Sequence, residues 1–250
     1  MDRLRRFYVW QLPVRIFHWI NALCIVILFA TGLYIGSPIT LAGGEPVKNF
    51  LMGNIRYIHI TLAMIFTANL LVRFYWFLKG NQQAKMKFWR KDFWLNLLET
   101  IKYYLFVSKE HAPHLGHNSL AQLFYLLVVW IGGFFMIFSG FAMWAGSNPN
   151  GILQTLFGWL IPLMGGENHV RMFHHLIAWS YGFFLIGHLY MCFRQDLLDR
   201  DGTVTSIITG YKYIDPETLA KAESSKNQTP SSPHPLSSPS SGDSNPVSLN

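Results

Sequence analysis

Residues 171–193 read RMFHHLIAWSYGFFLIGHLYMCF, and this stretch decides the fold. From Met172 to Phe193 it contains no Asp, Glu, Lys or Arg. A bilayer core is crossed by about 20 apolar residues in a helix, so the stretch is long enough to span. It nevertheless carries His174, His175 and His188. Ionisable side chains inside a span are costly and are kept for function. His174 and His188 are fourteen residues apart, just under four turns, so they share a helix face about 21 Å apart along the axis. His175 points well away from that face, which favours His174 as the partner of His188. Two ligands on one face, near opposite membrane surfaces, suit two stacked cofactor sites inside a helical bundle.

Three further stretches have the same character, at about residues 16–35, 55–78 and 120–144. The sequence thus predicts an all-α integral membrane protein, a four-transmembrane-helix bundle with two haem b sites. Its spans fall at about 16–35, 55–78, 120–144 and 172–193. The bundle domain takes in residues 1–221, and a Ser/Pro-rich tail over 222–250 is too poor in apolar residues to order itself. The composition agrees: 51% of the chain is hydrophobic and 13% charged, against roughly 25% charged in soluble domains. The first apolar run is long and lacks a small-residue cleavage site, so it reads as a retained span. Phe93 to Val107 is amphipathic and is expected on the membrane surface or as a helix extension. Ile152 to Met164, broken by Gly158 and Pro162, is expected as an interfacial loop.

The formal net charge of +7 is distributed as membrane topology rather than as a nucleic-acid surface. With a cytoplasmic N-terminus, the inner side carries Arg3, Arg5, Arg6 and Arg15. It also carries the connection from Arg73 to Lys109 and the segment from Arg194 onward. The outer side carries Lys48, Arg56 and Arg171. Positive charge collects on the cytoplasmic side, so both termini are predicted there. Cys24 and Cys192 both fall in apolar runs, which argues against a disulfide framework or an iron–sulfur or zinc site made by this chain alone.

Topology pairs the histidines by depth. His18 and His188 fall near the inner surface, and His59 and His174 near the outer. Each pair supplies two axial nitrogens for one haem iron, and bis-histidine ligation leaves no open coordination position, favouring electron transfer. A metal transporter would call for acidic residues at mid-membrane, and the spans hold almost none. Arg15, Arg56 and Arg171 each precede a ligand by three residues, on the same side of the helix. A guanidinium there suits an anionic haem propionate; simple snorkelling of a terminal arginine is the other reading. Gly32, Gly132, Gly133, Gly140 and Gly182 allow either close helix packing or the approach of a porphyrin face.

Arg15-Ile-Phe-His18-Trp19, continuing to Thr31-Gly32, and Arg171-Met-Phe-His174-His175, with Trp179, Phe184 and His188, resemble two signatures of a known family. This is the b-type cytochrome subunit of membrane-bound nickel–iron (uptake) hydrogenases, within the wider bacterial dihaem cytochrome b family. The resemblance covers about residues 5–215; Ala30 and Met172 depart from the expected side chains. It implies two haem b and a place in the bacterial cytoplasmic membrane. It also implies anchoring of the hydrogenase small (iron–sulfur) and large (nickel–iron) subunits on the periplasmic face, with electrons passed to quinone. The chain would be the electron-transfer subunit of a hydrogen:quinone oxidoreductase, not a stand-alone hydrogenase. The run His111-Ala-Pro-His114-Leu-Gly-His117-Asn118 suits an inner quinone pocket, with Asn118 as hydrogen-bond donor and His114 or His117 in proton delivery; a solvated loop and helix cap is the other reading. A cytochrome b of formate dehydrogenase or another periplasmic reductase shares the dihaem plan. A cofactor-free anchor or transporter is the alternative of a different class.

Overall fold

The apolar stretches form four long helices in a computed structural model that describes residues 5–38, 50–79, 91–105, 107, 119–146 and 150–214. Helix α1 is Leu12–Gly36 and α2 is Leu51–Lys79. The third span runs Ser119–Ala145. It comprises α4 (Ser119–Phe124), a π-helical stretch (Tyr125–Gly132) and α5 (Gly133–Ala145). The fourth is α8, Glu167–Asp199. All four are long and apolar enough to cross a membrane. They exceed the expected apolar windows by up to two turns, because a helix continues into the polar interface where flanking side chains are solvated. Around the bundle, α1 packs on α2 and α8, and α5 packs on α2 and α8. Within α1 only Cys24 is buried, as expected of a helix whose outer face meets lipid rather than other protein.

The second span, expected at 55–78, is α2 as far as Lys79, and Arg73, counted from sequence with the inner basic charge, is buried within it. Its side chain completes an interior row with Phe66, Asn69 and Leu70. The amphipathic segment is a separate helix, α3 (Lys91–Tyr104), which packs on α4. It buries Phe93, Leu97 and Thr100 at i, i+4 and i+7.

The expected interfacial loop is instead two short helices, α6 (Ile152–Phe157) and α7 (Leu160–Leu163), separated at Gly158. They lie over the ends of α5 and α8, where Leu160 joins Ala142 and Val170 in a small core. Apolar contact with these span ends holds the segment in helical form despite Pro162.

A two-stranded antiparallel sheet was not legible in the sequence. Strand β1 (Arg5–Tyr8) pairs with β2 (Tyr211–Ile214), in register from Arg5↔Ile214 to Tyr8↔Tyr211. The short helix α9 (Thr203–Thr209) sits between α8 and β2. Lys212 Nζ binds Asp201 Oδ2 and Thr203 Oγ1, each at 2.8 Å. Trp10 Nε1 donates to Ser206 Oγ at 3.1 Å. These bonds fix residues 5–8 and 211–214 at one end of the bundle, here called the termini end. His114, His117 and Asn118 lie outside the described residues, as does the 222–250 tail.

Candidate functional site

The four depth-matched histidines resolve into two groups at opposite ends of the bundle. At the termini end, His18 of α1 and His188 of α8 face each other with ring centroids 6.2 Å apart. Two imidazoles on opposite sides of one metal ion, with metal–nitrogen bonds of about 2.0 Å, have centroids about 6 Å apart. His18 Nδ1 is buried and has no hydrogen-bond partner among the described residues. Phe184, one turn before His188, stacks on it at 5.5 Å and 18°. Cys192 Sγ lies 3.7 Å from His188 Nε2.

At the far end each histidine is held by a hydroxyl from a neighbouring span. Thr31 Oγ1 lies 2.9 Å from His59 Nδ1 and also donates to Ile27 O at 2.7 Å. Ser139 Oγ lies 2.8 Å from His174 Nδ1 and donates to Phe135 O at 2.6 Å. A hydroxyl has one proton. With that proton committed to the carbonyl one turn back, the oxygen accepts from Nδ1–H. Both rings are thereby set in the tautomer with a bare Nε2, the form that ligates a metal. Ser139 was not singled out from sequence, and Thr31 only as part of the first signature, without a role. Their only signal there is a hydroxyl inside an apolar run, and such hydroxyls commonly satisfy themselves on their own helix.

The glycines sit in different surroundings. A Cβ at Gly32 would lie 3.4 Å from His59 Cε1, and one at Gly140 3.6 Å from His174 Cε1, ordinary contact distances beside the two far-end rings. Gly182 admits the Phe29 ring, whose Cζ would be 2.8 Å from an added Cβ. Phe29 in turn meets Trp179 edge-on at 5.6 Å. Gly133 lies against Leu70 in ordinary helix packing. The His175 ring lies 6.5 Å from that of His174 and packs against Gly36 at the end of α1, where an added Cβ would meet its Cε1 at 2.7 Å.

The arginines differ among themselves. Arg56 and Arg171 are exposed near the far end. Arg15 is half-buried and its Nη1 donates to the Ile208 carbonyl of α9, beside the bond from Trp19 Nε1 to Ile207 O. It therefore fastens α1 to α9. A polar cluster missed in the sequence lies near His18: Asn69 Nδ2 donates to Phe17 O at 3.1 Å and Asn21 Oδ1 at 2.6 Å.

Among the described residues no three His, Cys, Asp or Glu side chains form a metal-ligand group. A haem iron asks the protein for only two axial ligands. The facing His18 and His188, together with the preset tautomers of His59 and His174, fit that demand.

Comparison with known proteins agrees with this chemistry. The profile of the prokaryotic cytochrome b561 family matches residues 9–210. The chain is 36% identical over 210 residues to the probable Ni/Fe-hydrogenase B-type cytochrome subunit of Cupriavidus necator, covering 82% of this chain and 86% of that protein. The counterpart of the same name in Azotobacter vinelandii is 36% identical, with 82% and 88% covered. The probable Ni/Fe-hydrogenase 1 B-type cytochrome subunit of Escherichia coli K12 is 34% identical over 223 residues, with 84% and 92% covered. Four membrane-length helices and a family match over most of the chain lead to one assignment: this chain belongs to the prokaryotic cytochrome b561 family.

Proposed function

We propose that this chain is the dihaem membrane subunit of a nickel–iron hydrogenase, carrying electrons across the membrane from the enzyme's iron–sulfur subunit to quinone. The observation that carries the reading is the placement of His59 and His174, each within 2.9 Å of a hydroxyl from a neighbouring span, at the opposite end of the bundle from the pair His18 and His188. Haem b, when bound, supplies a one-electron carrier. The chain's own residues do the rest. His18 and His188 hold the iron at the termini end, and His59 and His174 hold it at the far end. Thr31 and Ser139 orient the far-end rings, while Phe29, Trp179 and Phe184 exclude water between the two levels. With both histidines of a pair engaged, a haem iron held there would have no position left for oxygen.

The hydrogenase donor follows from the names of the relatives, whose chains are covered nearly end to end. The excess of Lys and Arg at the termini end supports a cytoplasmic side for that end and, with it, docking of the donor at the far, periplasmic end. Quinone is reduced near the termini end, with Asn118, His117 and His114 as its polar partners. Arg56 and Arg171 take the propionates of the far-end haem.

Purification with the partner subunits is the test. Hydrogen should reduce both haems in the complex, and His59→Ala should stop electron entry while the hydrogenase subunits stay active with a soluble dye. If hydrogen still reduced the remaining haem at the wild-type rate in that variant, the route through the far end would be wrong.

A further inference from the structure

Arg73 is a full positive charge inside the second span, only 8% exposed. Its Nε donates to the Tyr125 hydroxyl at 2.8 Å. Its Nη1 is buried and has no hydrogen-bond partner among the described residues. Neither α1, α2 nor the third span contains a single Asp or Glu. A guanidinium removed from water without a counter-charge is among the costliest arrangements a protein can hold, and within a span such a residue marks a site. Tyr125, which fixes the Arg73 end, opens the π-helical stretch of the third span. Such stretches concentrate at functional positions.

The depth of Arg73 identifies what it lacks. It follows His59 by fourteen residues, the interval that also separates His174 from His188. Asn69, one turn before it on the same interior row, bonds to Phe17 O and Asn21 Oδ1, on either side of His18. Arg73 therefore lies one turn beyond the His18 level, toward the termini end. Haem propionates leave the porphyrin toward the nearer surface and carry negative charge. Arg15, the arginine expected for this haem from sequence, donates its Nη1 to the Ile208 carbonyl, and its buried Nε has no partner among the described residues.

We propose that the Arg73 guanidinium, oriented by Tyr125, binds a carboxylate at the termini end: the propionate of the haem held by His18 and His188. This rests on the two-haem reading above. A neutral quinone carbonyl would satisfy the free N–H but would leave the buried charge uncompensated, so the carboxylate is the better match.

The test is a redox titration of the purified full chain, with His188→Ala identifying the component that belongs to the termini-end haem. Arg73→Gln removes a positive charge beside that haem and should disfavour its reduction by about tenfold, ~59 mV for one electron. Arg73→Lys should restore most of the shift, and the far-end haem should not move. Two haems bound with both potentials unchanged in Arg73→Gln would overturn the proposal and leave the two-haem reading intact. Unchanged potentials with weakened quinone reduction would assign Arg73 to quinone instead. A wild-type chain holding fewer than two haems would overturn both. Should Arg73→Gln not accumulate, haem dimethyl ester offered to the His59→Ala apo-chain is the second probe. Its uncharged propionates should weaken binding at least tenfold against haem b, and equal binding would contradict the proposal.

Discussion

The rings of His18 and His188, contributed by the first and last spans, stand 6.2 Å apart across the termini end of the bundle. That spacing matches two axial imidazoles on one metal ion. Replacing either residue with Ala should remove one haem and leave the other. The haem-to-protein ratio of each variant, by the pyridine haemochrome method, should fall by half from wild type. A ratio unchanged in both variants would mean the pair ligates nothing.

The hydroxyls beside His59 and His174 should matter for affinity rather than for folding. Thr31→Val and Ser139→Ala remove the acceptor for Nδ1–H while preserving helix and approximate volume. Loss of an outer partner of a ligating histidine typically lowers metal affinity by about 10- to 100-fold. Haem retention during dilution should therefore drop at the far site alone. Retention equal to wild type in both variants would remove the tautomer argument.

His174 and His175 are adjacent in sequence but seated differently, one on Ser139 and the other against Gly36. His174→Ala should lose the far-end haem, whereas His175→Ala should keep both. The opposite pattern would move the ligand by one residue and exchange their roles.

Gly182 is a packing residue. A methyl group there would press on the Phe29 ring at 2.8 Å. Gly182→Ala should therefore destabilise the bundle by about 1–3 kcal/mol through overpacking. A lower thermal-unfolding midpoint with wild-type haem spectra is the expected result; an unchanged midpoint would show that Phe29 has room to move.

Much of the architecture was written in the sequence because lipid leaves few solutions. A span must be a helix of about 20 apolar residues, so its existence can be counted along the chain. The depth of each histidine was legible for the same reason, since it follows from span direction. Thr31, Ser139 and Arg73 were not. The two hydroxyls gain meaning only when another helix brings a ring nitrogen to them. Arg73 read only as part of the inner basic charge. Its burial depends on Tyr125, 52 positions away. The β1–β2 pairing joins segments about 200 residues apart, beyond any local pattern. Pro162 argued for a loop, but contacts with the span ends keep α6 and α7 helical.

The measurement that bears most directly on the central claim is a reduced-minus-oxidised visible spectrum of the purified chain, taken with its haem-to-protein ratio. Two b-type haems per chain, resolved as two components in a redox titration, are the predicted result. A single haem, or no reduced b-type α band, would contradict it.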